Sequence, residues 1–248
     1  MRKLRVLLWL NLLRMRRNAL ATMAGSLTDA LWALAVLAGA LVSGAPAREV
    51  FWALIAWILV VNVTWMLGGW LDYLASLGLV EEHLIRGVTL SRLLLCRALT
   101  TFISAGFSSL LTYIGAQLLL RDALTPASIP HAVLALLALA LHSLAYGGAL
   151  AALSLTVLIP SYLLDFISFA FLGILLLPLP PDQVEKLAWL PIVGPAYLLK
   201  ASAAAPPPLT ALAASAALAA PLLALALALI KLASARIEKR GVKVTSAI

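Results

Sequence analysis

Few side chains in this sequence could carry out covalent chemistry, and their spacing argues against most of the usual kinds. Histidine occurs at His83, His131 and His142. These are too scattered for the H-E-x-x-H spacing by which one helix presents two imidazoles to zinc, and Glu81 and Glu82 precede His83 with no second histidine nearby. The single cysteine, Cys96, rules out an internal disulfide framework and a multi-cysteine metal site. No G-x-x-x-x-G-K-[ST] loop is present, so the chain is not expected to bind or hydrolyse nucleotide by itself. One catalytic pairing stays open, Ser108 or Ser109 with His142, a hydroxyl and a base from separate helices. The surrounding AGFSSL lacks a tight glycine–serine turn, and lone serines in membrane helices usually serve packing.

The elements that would position these groups are apolar to a degree no water-soluble core needs. The chain is 64% hydrophobic and 11% charged, against roughly 45–50% and about 25% in ordinary globular domains. A mean hydropathy of +1.06 agrees, and lipid is the simplest cover for the excess. The net charge of +8 would suggest nucleic acid in a soluble protein. Here the basic residues avoid the long apolar runs and bunch at the chain ends, which points to membrane orientation and to no nucleic-acid partner. The apolar stretch Val6–Leu13 is cut off by Arg14, Arg16 and Arg17 without a small-residue cleavage site, so removal as a signal peptide is not expected.

Crossing the ~30 Å hydrocarbon core takes about 20 mostly apolar helical residues. Six stretches meet or approach that length: Ala24–Val42, Val50–Leu71, Ala98–Leu120, Ile129–Ile159, the short Tyr162–Leu177, and Leu209–Lys231. Their continuity favours helices over barrel strands, which would alternate in pieces of about ten residues. The expected fold is an all-α integral membrane protein of six transmembrane helices forming one domain over residues 1–248. Trp52 and Trp70 are 18 residues apart, about 27 Å along a helix, as for one anchor at each interface of the second span.

Orientation follows from the basic residues. With the N-terminus cytoplasmic, fourteen lie inside, from Arg2 and Lys3 through Arg86, Arg92 and Arg97 to Lys243, and only Arg48, Arg121, Lys186 and Lys200 lie outside. That bias places both termini in the cytoplasm of a multi-pass cell-membrane protein.

Three segments do not span. Residues 1–20 read as an amphipathic interfacial helix on the inner leaflet, with Lys3, Asn11, Arg14, Arg17 and Asn18 on one stripe and Arg5 and Arg16 off it; alternatively, the arginines only fix topology. The inner loop 72–97 mixes acids, bases and apolar residues. Glu81, Glu82 and Arg86 can share one side of a short helix that Gly87 ends, a surface for a peripheral partner or merely a solvated linker. The outer stretch 178–200 holds Pro178, Pro180, Pro181, Pro191 and Pro195, too many for one helix, yet Leu187–Leu199 is too apolar for a wet loop. A broken, partly membrane-dipping hairpin fits better, with Trp189, Pro191, Pro195 and Tyr197 as its marked residues.

Polar groups within or beside the spans are Asp29, Asn62, Gln117, His142 and Asp165. Asp29 lies about five residues into the first span and Asp165 by the inner turn Pro160–Asp165; structural pairing or interfacial exposure is favoured over an ion path. The pairs Gly68-Gly69 and Gly147-Gly148 permit close helix packing.

In their order these features resemble the membrane subunit of ABC-2 type transporters over essentially the whole chain. The carriers are LRVLLWLNLLRMRRNAL at the start, GLVEEHLIRGVTLSRLLLCRAL between spans two and three, and LAWLPIVGPAYLLKA before the last span. The inner turn has Gly87-Val88 where the family often has proline. Gly194-Pro195-Ala196-Tyr197 is one residue shorter than the family's frequent Asn-Pro-x-x-Tyr. The resemblance implies a permease without bound cofactor, driven by ATP in a separate ATPase subunit that docks on Glu81, Glu82 and Arg86. It also implies a second permease copy, the two enclosing a path for an amphipathic, drug-like or lipid-linked cargo. The rival expectations are an intramembrane serine hydrolase using Ser109 and His142, and a non-transporting membrane scaffold.

Overall fold

The computed structural model describes residues 2–120, 124–156, 161–178 and 181–241; Pro160, Arg121, Pro180 and Lys243 lie outside them. Among the described residues the chain is all helical, with no strand. The elements are α1 (Arg2–Arg17), α2 (Ala19–Val42), α3 (Ala47–Val63), a π-helical segment (Thr64–Gly69), α4 (Trp70–Ser76), α5 (Leu79–Ile85) and α6 (Leu90–Leu120). They continue with α7 (Ile129–Ser154), α8 (Ser161–Leu176), α9 (Pro181–Leu187), α10 (Val193–Ala204) and α11 (Leu209–Arg240).

Five stretches are long and apolar enough to cross a membrane: α2, the run from α3 through α4, α6, α7 and α11. The fifth expected span, α8, has 16 residues, about 24 Å of helix and short of the hydrocarbon thickness. The expected fourth span ends early as a helix, at Ser154 rather than Ile159, but several other boundaries shift outward for one reason. Helices continue past the apolar run as long as their polar ends reach water or a partner, so α2 starts at Ala19 rather than Ala24 and α6 at Leu90 rather than Ala98. Much of the segment 72–97, expected as an inner loop, is therefore helical, including the end of α4, all of α5 and the first two turns of α6. The interfacial segment ends as a helix at Arg17, where Asn18 leaves helical geometry and the chain turns into α2.

The α3–α4 run is the central column. Its apolar window is 78% buried, against 22% for α2 and for α11, and it packs on α2, α6, α7, α8 and α10. The peripheral helices dock by stripes of small residues. In α2 the buried positions are Ser26, Ala30, Ala33 and Leu37, at helical spacing on one face. On α11 the corresponding face carries Ala211, Ser215, Ala219, Ala226, Ile230 and Ala233, and it lies along α7. Large leucines point outward instead: Leu31 is 58% exposed and Leu118 77%. That inverted arrangement suits lipid. Lipid tails are as apolar as leucine, so helices associate through close backbone approach over small residues. Exposed apolar surface of this extent is foreign to soluble monomers.

The glycine pairs belong to this packing within one chain. A Cβ on Gly147 would come within 3.1 Å of the Val63 carbonyl oxygen, and one on Gly68 within 3.3 Å of the Leu150 Cβ. They join α7 to the α3/π-segment boundary.

Candidate functional site

The most chemically distinctive region is a crevice between α1, α2, α6 and the π segment. Two polar stripes line it. One runs from Asn18, at the start of α2, through Thr22 and Ser26 to Asp29; the other, on α6, is Arg97, Thr100 and Ser104, with Ser108 below them bonded to Asp29. Each set repeats every three or four residues, so each forms one helical face. Three adjoining cavities follow these faces. One of about 470 Å³ is lined by Arg14, Asn18, Thr22, Trp70, Arg97 and Ser104. It shares Arg14, Asn18 and Trp70 with one of about 400 Å³ beside α5. It shares Thr22, Met66 and Ser104 with a deeper one of about 230 Å³ that reaches Asp29 and Asn62.

At the deep end, one carboxylate oxygen of Asp29 accepts two hydrogen bonds, from the Asn62 amide at 3.0 Å and the Ser108 hydroxyl at 2.9 Å. The Asn62 amide also donates to the Ile58 carbonyl at 3.0 Å. Asp29 thus ties α2 to α3 and α6, the structural pairing favoured from sequence. It lies ten residues beyond the helix start at Ala19, about 15 Å along the helix. Beside it the Ser26 hydroxyl is buried without a hydrogen-bond partner among the described residues.

At the mouth, the Arg97 Nε donates to the Met66 carbonyl at 3.1 Å, and its guanidinium lies over the Trp70 ring, 5.0 Å from the centroid. Met66 belongs to the π segment, whose widened turn leaves this carbonyl open to a second donor; π turns frequently mark functional positions. Arg14 and Arg17 reach the same region from α1, whereas Arg16 faces away from it. Sequence reasoning counted Arg97 only toward topology. The signal that would have found it is the four-residue polar repeat running from Arg97 into the third span.

Helix α5 carries the predicted docking residues beside the same cavities. Glu82 and Arg86 form an i,i+4 ion pair, and Glu81 and Glu82 fall in the first turn, where carboxylates suit the helix dipole. Gly87, at φ 71°, ends the helix as expected: its N–H bonds the Leu84 carbonyl at 2.8 Å, and the Val88 N–H bonds the His83 carbonyl at 2.9 Å. That is the glycine-terminated Schellman pattern. Val80 is fully buried beneath α5, and Ile85 is 87% exposed.

The proline-rich hairpin is a different kind of site. α9 ends at Leu187, the chain breaks, and α10 runs to Ala204, beyond the expected end at residue 200. The break is a γ-turn centred on Ile192, at φ 64° and ψ −51°, closed by the Val193 N–H on the Pro191 carbonyl at 2.6 Å. A β-branched residue there stores strain of about 1–3 kcal/mol. His142 of α7 holds it: Nδ1 accepts from the Ile192 N–H at 3.1 Å, so Nε2 carries the proton and donates to the Ser215 carbonyl at 2.9 Å.

Tyr197 donates from its hydroxyl to the Ile174 carbonyl. Lys200 donates to those of Leu175 at 2.8 Å and Leu177 at 2.9 Å. The open C-terminal end of α8 is closed in this way. Burial raises the pKa of Tyr197 and lowers that of Lys200, with the Glu49 carboxylate opposing the latter. Pro195 is buried, while Trp189 and Pro191 face outward.

Neither Ser108 nor Ser109 bonds His142, whose two nitrogens are engaged by Ile192 and Ser215, and Ser108 serves Asp29. Asp165 is exposed within α8 rather than in a turn. No group of three or more metal-ligating side chains occurs among the described residues. No family model, curated protein or solved structure matches the chain.

Proposed function

We propose that this chain is the permease subunit of an ATP-binding cassette exporter of the ABC-2 type. In this reading six spans cross the cell membrane, with both termini cytoplasmic and α8 as the short fifth span. A separate ATPase binds and hydrolyses ATP, and a second permease copy completes the path for an amphipathic, drug-like or lipid-linked cargo.

The observation that carries the proposal is α5. It is a short, charged, exposed helix slung between the second and third spans by a glycine-terminated turn, on the side of the molecule that α1 occupies. Its buried Val80 gives it a foothold in the bundle. A push on α5 would pass through α4 and the π segment into the central column and so to Asn62 and Asp29. The crevice, with a polar floor and leucine walls, suits an amphipathic cargo.

The test is co-purification with candidate ATP-binding cassette ATPase subunits from the same organism, comparing wild type with Glu81→Lys, Glu82→Lys and Arg86→Glu combined. Loss of ATPase binding and stimulation, with folding intact, is expected. Unchanged binding and stimulation would remove the docking role of α5.

A further inference from the structure

The two cavities at the crevice mouth are ringed by arginine without any acid. Arg14, Arg17 and Arg97 line them, and no carboxylate does. The Arg14 guanidinium stands near enough to Arg97 for the two charges to repel. Arg97 uses its Nε on the Met66 carbonyl and its face on Trp70, which leaves its two terminal nitrogens without a hydrogen-bond partner among the described residues. Guanidinium groups gathered around a recess in this way are short of an anion, and their forked donors match phosphate oxygens.

The surroundings specify what carries that phosphate. The cavity beside α5 is walled by Leu7, Leu10, Leu13 and Leu93, and α1 also exposes Trp9 at 62% and Leu12 at 43%. An aqueous phosphate would find no use for such walls, whereas acyl chains below a headgroup would. The polar recess of about 470 Å³ is roomy enough for a headgroup.

We infer that the crevice between α1, α2, α4 and α6 binds the phosphate of an anionic membrane lipid, held by Arg14 and Arg97 with Arg17 at the rim. The lipid's chains lie along the leucines of α1. The bound lipid would lock the interfacial helix onto the bundle. This site does not depend on the transport reading, because it needs only that α1 lie at the membrane surface.

The experiment uses the full chain in detergent, delipidated and titrated with phosphatidylglycerol, with phosphatidylcholine, or with inorganic phosphate, and bound lipid counted by native mass spectrometry. Wild type is expected to retain one phosphatidylglycerol in preference to phosphatidylcholine, with millimolar phosphate unable to displace it. The double variant Arg14→Gln with Arg97→Gln should bind that lipid about thirtyfold more weakly, at roughly fivefold per charge. Arg14→Gln alone changes an exposed position that the core does not need, so its roughly fivefold loss is readable even where the double variant folds poorly. Arg5→Gln with Arg16→Gln removes the same charge away from the crevice and should leave the affinity within about twofold. Equal loss in that control would mean diffuse charge attraction, and no loss in Arg14→Gln would remove the site. Displacement by free phosphate would make the ligand a soluble anion. Any of the three overturns the inference.

Discussion

The arginine-lined crevice and the proline-rich hairpin are both rich in residues that are costly to bury, and they treat them in opposite ways. In the hairpin the groups are spent on the fold: Lys200 and Tyr197 close the carbonyl end of α8, and His142 fastens the Ile192 turn to α11. In the crevice, the exposed Arg14 and Arg17 side chains have no hydrogen-bond or ion-pair partner among the described residues, and the partly buried Arg97 is only half engaged. Buried polar groups are normally satisfied. A set that is satisfied explains itself as structure, and a set left open toward a cavity asks for a ligand. Residues that look equally functional in a sequence therefore separate once their partners are known.

The separation is sharpest where stability should collapse. Valine at Gly194 would put its Cβ 2.5 Å from the Leu187 carbonyl oxygen and 2.7 Å from that of Ala188. Backbone cannot yield there, so Gly194→Val should cost about 3 kcal/mol or more and lower the unfolding temperature steeply in detergent. A near-wild-type melting curve would mean that the hairpin is not packed as described.

Next in size come the hairpin's polar fastenings. Lys200→Met and His142→Phe each strip two hydrogen bonds and leave buried partners unpaired, a loss of about 2–3 kcal/mol. Lipid binding at the crevice should be untouched in both. A fall in lipid affinity matching the fall in stability would erase the distinction between the two regions.

Asp29 falls between them, since it is bonded yet lies at the floor of the crevice. Both of its donors use one oxygen. An amide oxygen can take the same place, so Asp29→Asn should stay within about 1 kcal/mol of wild type while Asp29→Leu loses about 2 kcal/mol. Thermal unfolding of the pair decides it; equal destabilisation would show that the charge itself matters to the fold.

The smallest expected effect is at α5. Its Glu82–Arg86 pair is exposed and contributes under about 0.5 kcal/mol, so reversing Glu81, Glu82 and Arg86 should leave the melting temperature nearly unchanged. Marked unfolding would make α5 a structural strut.

Much of this layout was legible in the sequence, because lipid burial demands long apolar runs and runs are easily read. Gly87 ending α5 was legible too, since few residues accept its backbone conformation. What escaped was set by tertiary partners. Nothing local marks Lys200 as a cap for α8, a helix that ends more than twenty residues earlier. The length of α6 exceeded expectation because Arg92 and Arg97 look like loop residues, yet the helix begins before both, at Leu90. The crevice was half visible, in the repeats on α2 and α6, but only the packing shows that the two stripes face each other.

The account rests on α1, α5 and the end of α11 sharing one face of the membrane while the hairpin lies on the other. Cys96 is buried, so Cys96→Ala supplies a background for single cysteines at positions 5, 82, 189 and 238. In intact cells a membrane-impermeant maleimide should label position 189 and spare 5, 82 and 238 until the membrane is opened. Labelling of 5 and 238 from opposite sides would contradict the even number of crossings and the coupling scheme built on it.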